Sequence, residues 1–100
     1  RFLVMDLHAG QIQGFFDIPG DELTARHILV DYFREKAIPN AVVVAPDIGA
    51  SRRARNFAED LDLRLAIIEK RRHADGSGIR QLNLIGDVSG CNAIIFDDEM

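Results

Sequence analysis

The sequence has one cysteine, three prolines and no tryptophan, and it has no apolar run near the roughly 20 residues that a membrane-spanning helix needs. Phe2 to Met5 and Ala41 to Ala45 are among its longest apolar stretches, so no membrane partner is expected. With Cys91 alone, an internal disulfide and a cysteine-based zinc site are both excluded, and the composition suits the reducing cytoplasm. A basic excess is missing too. Twelve basic against sixteen acidic side chains leave a formal net charge of −4, which argues against a general nucleic-acid binder, since such proteins neutralise phosphates with a broad basic surface. What is present is a chain of 100 residues, 47% hydrophobic, the content of a globular chain of at most one domain's size. It starts inside one apolar run and stops just after another, which leads us to expect an incomplete fragment leaning on absent neighbours.

Short aliphatic runs alternate with longer amphipathic stretches, the pattern of an α/β fold with a parallel sheet flanked by helices. Phe2 to Met5, Ala41 to Ala45, Leu65 to Ile68, Leu82 to Ile85 and Ala93 to Phe96 are nearly continuous in apolar residues, as strands covered on both faces are. Two helices are expected. Leu23 to Ala37 places Leu23, Ile28, Leu29, Tyr32 and Phe33 near helical spacing, with Asp21 as N-cap, and Ser51 to Leu61 does the same with Ala54, Phe57, Ala58 and Leu61. Phe16 to Asp21 reads as a linker, and the polar stretch His73 to Gly78 as a mobile surface loop.

Four positions offer chemistry. Asp6-Leu7-His8 follows the first strand, and open α/β sheets bind ligands at strand C-terminal ends; His8 is there either a ligand of a metal or polar group, or a hydrogen-bonded turn histidine. Pro46-Asp47-Ile48-Gly49 leads into the second helix beside Arg52, Arg53 and Arg55. Helix N-termini attract anions, and a neighbouring carboxylate would hold the accompanying magnesium ion, unless Asp47 is only a helix cap and the arginines a solvated face. Lys70-Arg71-Arg72 stands at the root of the polar loop, either as charge that closes on a phosphoryl group or as solubility charge. Asp97-Asp98-Glu99 ends the last strand, where paired carboxylates grip sugar hydroxyls or a metal, or are simply solvated. Cys91 is read as structural.

DLHAGQIQGFFDIP from Asp6, VVVAPDIGASRRAR from Val42, IIEKRR from Ile67, LIGDVSG from Leu84 and IIFDD from Ile94 together resemble ribose-phosphate pyrophosphokinase, over essentially the whole chain. The resemblance implies a type I phosphoribosyltransferase-like domain fold, with residues 1–21 the end of one such domain and its hinge, and 22–100 the first part of a second. It implies transfer of the diphosphoryl group of ATP to the C1 hydroxyl of ribose 5-phosphate, giving phosphoribosyl pyrophosphate and AMP, in a magnesium-dependent cytoplasmic homo-oligomer, a hexamer of dimers. By position, His8 and Asp47 match the metal and nucleotide site, and Asp6, Asp17 and Asp21 further magnesium-associated carboxylates. Lys70 and Arg72 match the catalytic flexible loop, with Arg72, Asp97 and Asp98 toward ribose 5-phosphate. Two alternatives share the fold: a non-catalytic regulatory relative, and a type I phosphoribosyltransferase. Gly20, Ala50 and the glycines beyond Arg72 depart from the usual pattern. The 100 residues by themselves are expected to be inactive.

Overall fold

The computed structural model describes residues 1–99, and for Ile79 and Arg80 the backbone alone. Six strands and two α-helices form a mixed α/β fold: β1 (Phe2–Met5), β2 (Gly20–Leu23), α1 (Arg26–Lys36), β3 (Ala41–Ala45), α2 (Ser51–Asp60), β4 (Arg64–Arg72), β5 (Ile79–Ile85) and β6 (Asn92–Ile95), with a 3-10 helix over Gly10–Phe15. β1 and β2 make a parallel pair of their own, and the other four strands form a sheet ordered β5-β4-β3-β6. β3 is parallel to both β4 and β6. The C-terminal ends of these strands therefore share one edge.

β3 is the one strand buried almost throughout, with Val42 to Ala45 inaccessible on both faces. One face of the sheet packs Val43, Ala45 and Ile94 against Val30 of α1 and Ala50, Ala54, Phe57 and Ala58 of α2. Phe57 is fully buried, stacked on Phe96 at 4.4 Å and meeting Phe33 edge-on at 5.9 Å. Residues 50, 54, 57, 58 and 61 lie on one stripe of α2, as the 3.6-residue period requires. The opposite face gathers Val42, Val44 and Ala66 with Ile68, Val88 and Cys91.

Several expectations are corrected. β5 runs antiparallel to β4, and Leu82, Leu84 and Ile85 are exposed, as are Leu3 and Met5 of β1; these apolar strands are not covered on both faces, because the helix-side core reaches β4, β3 and β6 and β1 belongs to a separate pair. Asp21 is not a helix cap: it lies in β2, paired with Asp21's partner position Leu3 on β1. That pairing removes Leu23 from the helix, which starts at Arg26. The supposed linker therefore runs into a strand, and Gly20 lets the Phe2 ring lie over it, since a Cβ there would come within 2.3 Å of that ring and displace it. In α1, Val30 and Phe33 turn inward while Ile28, Leu29 and Tyr32 stay exposed. His73 to Gly78 is the turn of the β4–β5 hairpin, closed by His73 N–H donating to the Gly78 carbonyl at 3.0 Å, so Lys70, Arg71 and Arg72 stand on β4 rather than in a loop.

Candidate functional site

Asp47 lies two residues beyond the end of β3, where the chain turns into α2. Its Oδ1 accepts the Ala50 N–H at 2.8 Å, satisfying one of the donors a helix start leaves open. Its Oδ2 points the other way, 4.0 Å from Lys70 Nζ. Asp47 thus caps the helix and presents an oxygen outward at once. On β4 alternate side chains share a face, which puts Lys70 toward Asp47 and sends Arg71 to the other side, where it lies 3.6 Å from Glu69.

At the end of β6, Phe96 anchors in the core and directs the acidic run toward Asp47. Asp97 Oδ1 accepts the Asp98 N–H at 2.9 Å, and the Asp98 side chain is only 10% exposed. Two basic side chains meet it. Arg53 Nη1 donates to Asp98 Oδ2 at 2.5 Å, and His8 Nδ1 lies 3.2 Å from the same oxygen. Arg53 Nη2 also donates to the Leu7 carbonyl at 2.7 Å, tying the β1 turn to α2. A cavity of about 320 Å³ is lined by His8, Asp47, Gly49, Arg52, Arg53 and the three carboxylates of residues 97–99, among others.

The electrostatics follow from these contacts. Hydrogen bonding to Asp98 holds the His8 imidazole above its usual pKa of 6.5, with the negative charges of Glu99 and Asp98 acting the same way. For Asp98, burial pushes the carboxyl up, but hydrogen bonds with His8 and Asp97 and the charge of Arg53 outweigh it and hold the group below 3.8. Each partner therefore favours the charged form of the other.

His8, Asp47, Asp97 and Asp98 converge on one cavity, and Lys70 stands at its margin beside Asp47. Arg72 continues β4 two residues beyond Lys70. Asp17 and Asp21 are placed elsewhere, while Asp6 lines a smaller cavity that shares Arg53, Asp97 and Asp98 with this one. Asp6 Oδ2 accepts the Ala25 N–H at 2.9 Å, capping α1 from across the chain; Asp21 pairs with Arg1; Asp17 is an exposed bend residue. Arg53 is not singled out by residue type from its sequence neighbours, although a signal is there: it occupies the apolar stripe of α2 between Ala50 and Ala54, whereas Arg52 and Arg55 lie off that stripe and are exposed.

Among the described residues no three His, Cys, Asp or Glu side chains are grouped to hold a metal ion alone. Magnesium keeps several waters and takes one or two carboxylates with substrate phosphates, so the outward oxygen of Asp47 and the carboxylates across the cavity fit a metal shared with a polyphosphate. No helix among the described residues is long and apolar enough to cross a membrane.

No protein-family model matches the chain. Curated relatives do: it is 50% identical over 99 residues to the ribose-phosphate pyrophosphokinase of Wolinella succinogenes, covering 98% of this chain and 31% of that protein. It is 52% identical over 99 residues to the ribose-phosphate pyrophosphokinase of Synechococcus elongatus, covering 98% and 30%. The crystal structure of phosphoribosylpyrophosphate synthetase from Mycobacterium smegmatis superposes with a TM-score of 0.76 at 38% identity, over 96% of this chain and 30% of that one. The resemblance carried by the motifs is borne out along nearly the whole chain, and the α/β fold matches. The chain spans about a third of the length of these relatives.

Proposed function

We propose that this chain is a segment of a ribose-phosphate pyrophosphokinase, whose full-length parent transfers the diphosphoryl group of ATP to the C1 hydroxyl of ribose 5-phosphate. One observation carries the reading: in a chain half identical to proteins of that name, His8, Asp47, Asp97 and Asp98 line one cavity with Lys70 at its edge. Residues 1–21 would end one phosphoribosyltransferase-like domain and 22–100 open the next; the separation of the β1–β2 pair from the larger sheet supports a division in this region, after β2 rather than within it. A cytoplasmic homo-oligomer, a hexamer of dimers, belongs to the same reading.

In the proposed reaction the C1 hydroxyl oxygen attacks the β-phosphorus of ATP and the bond to the bridging oxygen of AMP breaks. His8 and the first turn of α2 face the nucleotide, and the paired carboxylates of Asp97 and Asp98 orient the sugar hydroxyls, with Arg72 reaching toward the sugar phosphate. Lys70 and Arg72, carried together on the hairpin, close over the transferring group, where cations stabilise charge spread over its oxygens. Asp47, with the carboxylates across the cavity, would hold magnesium. When bound, that ion neutralises phosphate charge.

The test is AMP formation by the full-length parent from magnesium ATP, with and without ribose 5-phosphate. Sugar-dependent AMP is expected, and Lys70→Ala should lower kcat by about a hundredfold or more with smaller effects on KM. A folded wild type that forms no AMP would point to a non-catalytic relative, and pyrophosphate release with a nucleobase to a phosphoribosyltransferase.

A further inference from the structure

We propose that Arg53 is a positioning residue, a clamp whose single guanidinium holds the Leu7–His8 turn and Asp98 in fixed register, so that the nucleotide and sugar sides of the cavity face each other. The inference rests on the reaction proposed above, in that it gives the clamp its use.

The two terminal nitrogens of Arg53 are divided between two segments far apart in sequence: Nη1 donates to Asp98 at 2.5 Å, and Nη2 to the Leu7 carbonyl at 2.7 Å. Each makes a bond to protein, so one guanidinium joins two segments of the site's frame. The turn it holds needs support. Asp6 adopts φ 49°, a left-handed conformation that an aspartate enters more readily than most L residues but that contacts must hold. From the other side the turn is tied to β2, with Asp6 N–H donating to the Leu23 carbonyl at 2.9 Å and Leu7 N–H to Glu22 Oε1 at 3.2 Å. Arg53 supplies the tie to α2. Without it Asp98, almost buried, loses its guanidinium partner and keeps the His8 ring, and the turn loses its bond to the helix. Lysine cannot replace it: an ammonium is a point charge, whereas the planar fork reaches two acceptors in fixed directions.

Arg53→Lys and Arg53→Ala in the full-length parent test the clamp, with Arg53→Lys carrying the test if the alanine variant does not fold. Misplacement by about an ångström costs on the order of a hundredfold in rate, so kcat should fall by about that factor in both, with KM for ATP and ribose 5-phosphate changed little. Asp98→Asn should couple to Arg53→Ala, the double variant losing much less than the product of the two single losses. A large KM increase that lysine reverses would make Arg53 a direct anion contact, and additive losses would sever it from Asp98; either overturns the proposal. Amide hydrogen exchange of residues 7–9 should also quicken by about tenfold or more in Arg53→Lys. Unchanged exchange there defeats the clamp even in a protein that forms no AMP, whereas absence of AMP from the wild type defeats only the reaction.

Discussion

Protonation of His8 is tied to Asp98, and this tie has a direction in pH. Because folding holds the imidazole pKa above 6.5, the charged form is favoured in the folded chain; its contribution is fully present below 6.5 and is lost as pH rises through the raised value. Asp98 works in the opposite sense. Its carboxyl is held below 3.8, so its contribution is present above 3.8 and lost as pH falls through the lowered value. We expect NMR titration of the His8 ring to give a midpoint above 6.5, and Asp98→Asn to move that midpoint down; an unmoved midpoint would show that Asp98 does not hold the proton. At this scale the sequence spoke unevenly. Asp47 and Asp98 were legible because they close apolar strands, while Arg53 was hidden among three arginines that differ only in which way the helix turns them.

Among the elements, the β4–β5 hairpin is the least conventional piece, since it carries Lys70 and Arg72 out along an antiparallel arm of the sheet. Its return strand ends at Gly86, with φ 102° and a built Cβ only 3.2 Å from Ala66. A side chain there is both strained and crowded, so Gly86→Ala should cost about 1–3 kcal/mol, read as a lowered thermal midpoint of the parent protein. A midpoint within a degree of wild type would mean that the turn relaxes freely. β3 and α2 were readable because AVVVA has no polar residue and because α2 repeats its apolar stripe. β2 was not, since Gly20-Asp21-Glu22-Leu23 carries two charges and becomes a strand only by pairing with β1, whose partner positions lie 18 residues away. The sense of β5 was equally hidden: direction is decided by the turn at residues 73–78, not by the apolar content of the strand.

The whole molecule is thin and open, with extents of 49 × 46 × 18 Å and a radius of gyration of 16.2 Å, above the roughly 13 Å of a compact 100-residue domain. Its stability is concentrated where Phe57, Phe33 and Phe96 meet between the helices and the sheet. Phe57→Ala should therefore cost about 3–5 kcal/mol and, because Phe96 immediately precedes Asp97 and Asp98, should loosen the acidic end of the cavity as well. Chemical denaturation of the full-length protein measures the first effect, and faster amide exchange at residues 97–99 the second; a loss below about 1 kcal/mol would mean that the core closes over the missing ring.

The contact of His8 with Asp98 joins residues 90 positions apart. Closing a loop of that length on a bare chain costs about 4 kcal/mol of chain entropy beyond a constant, more than the contact returns by itself. The cavity is thus expected to assemble late in folding, after β3 has paired with β4 and β6 and shortened the path, so that in refolding kinetics the sheet should gain protection before the residue 6–8 turn does.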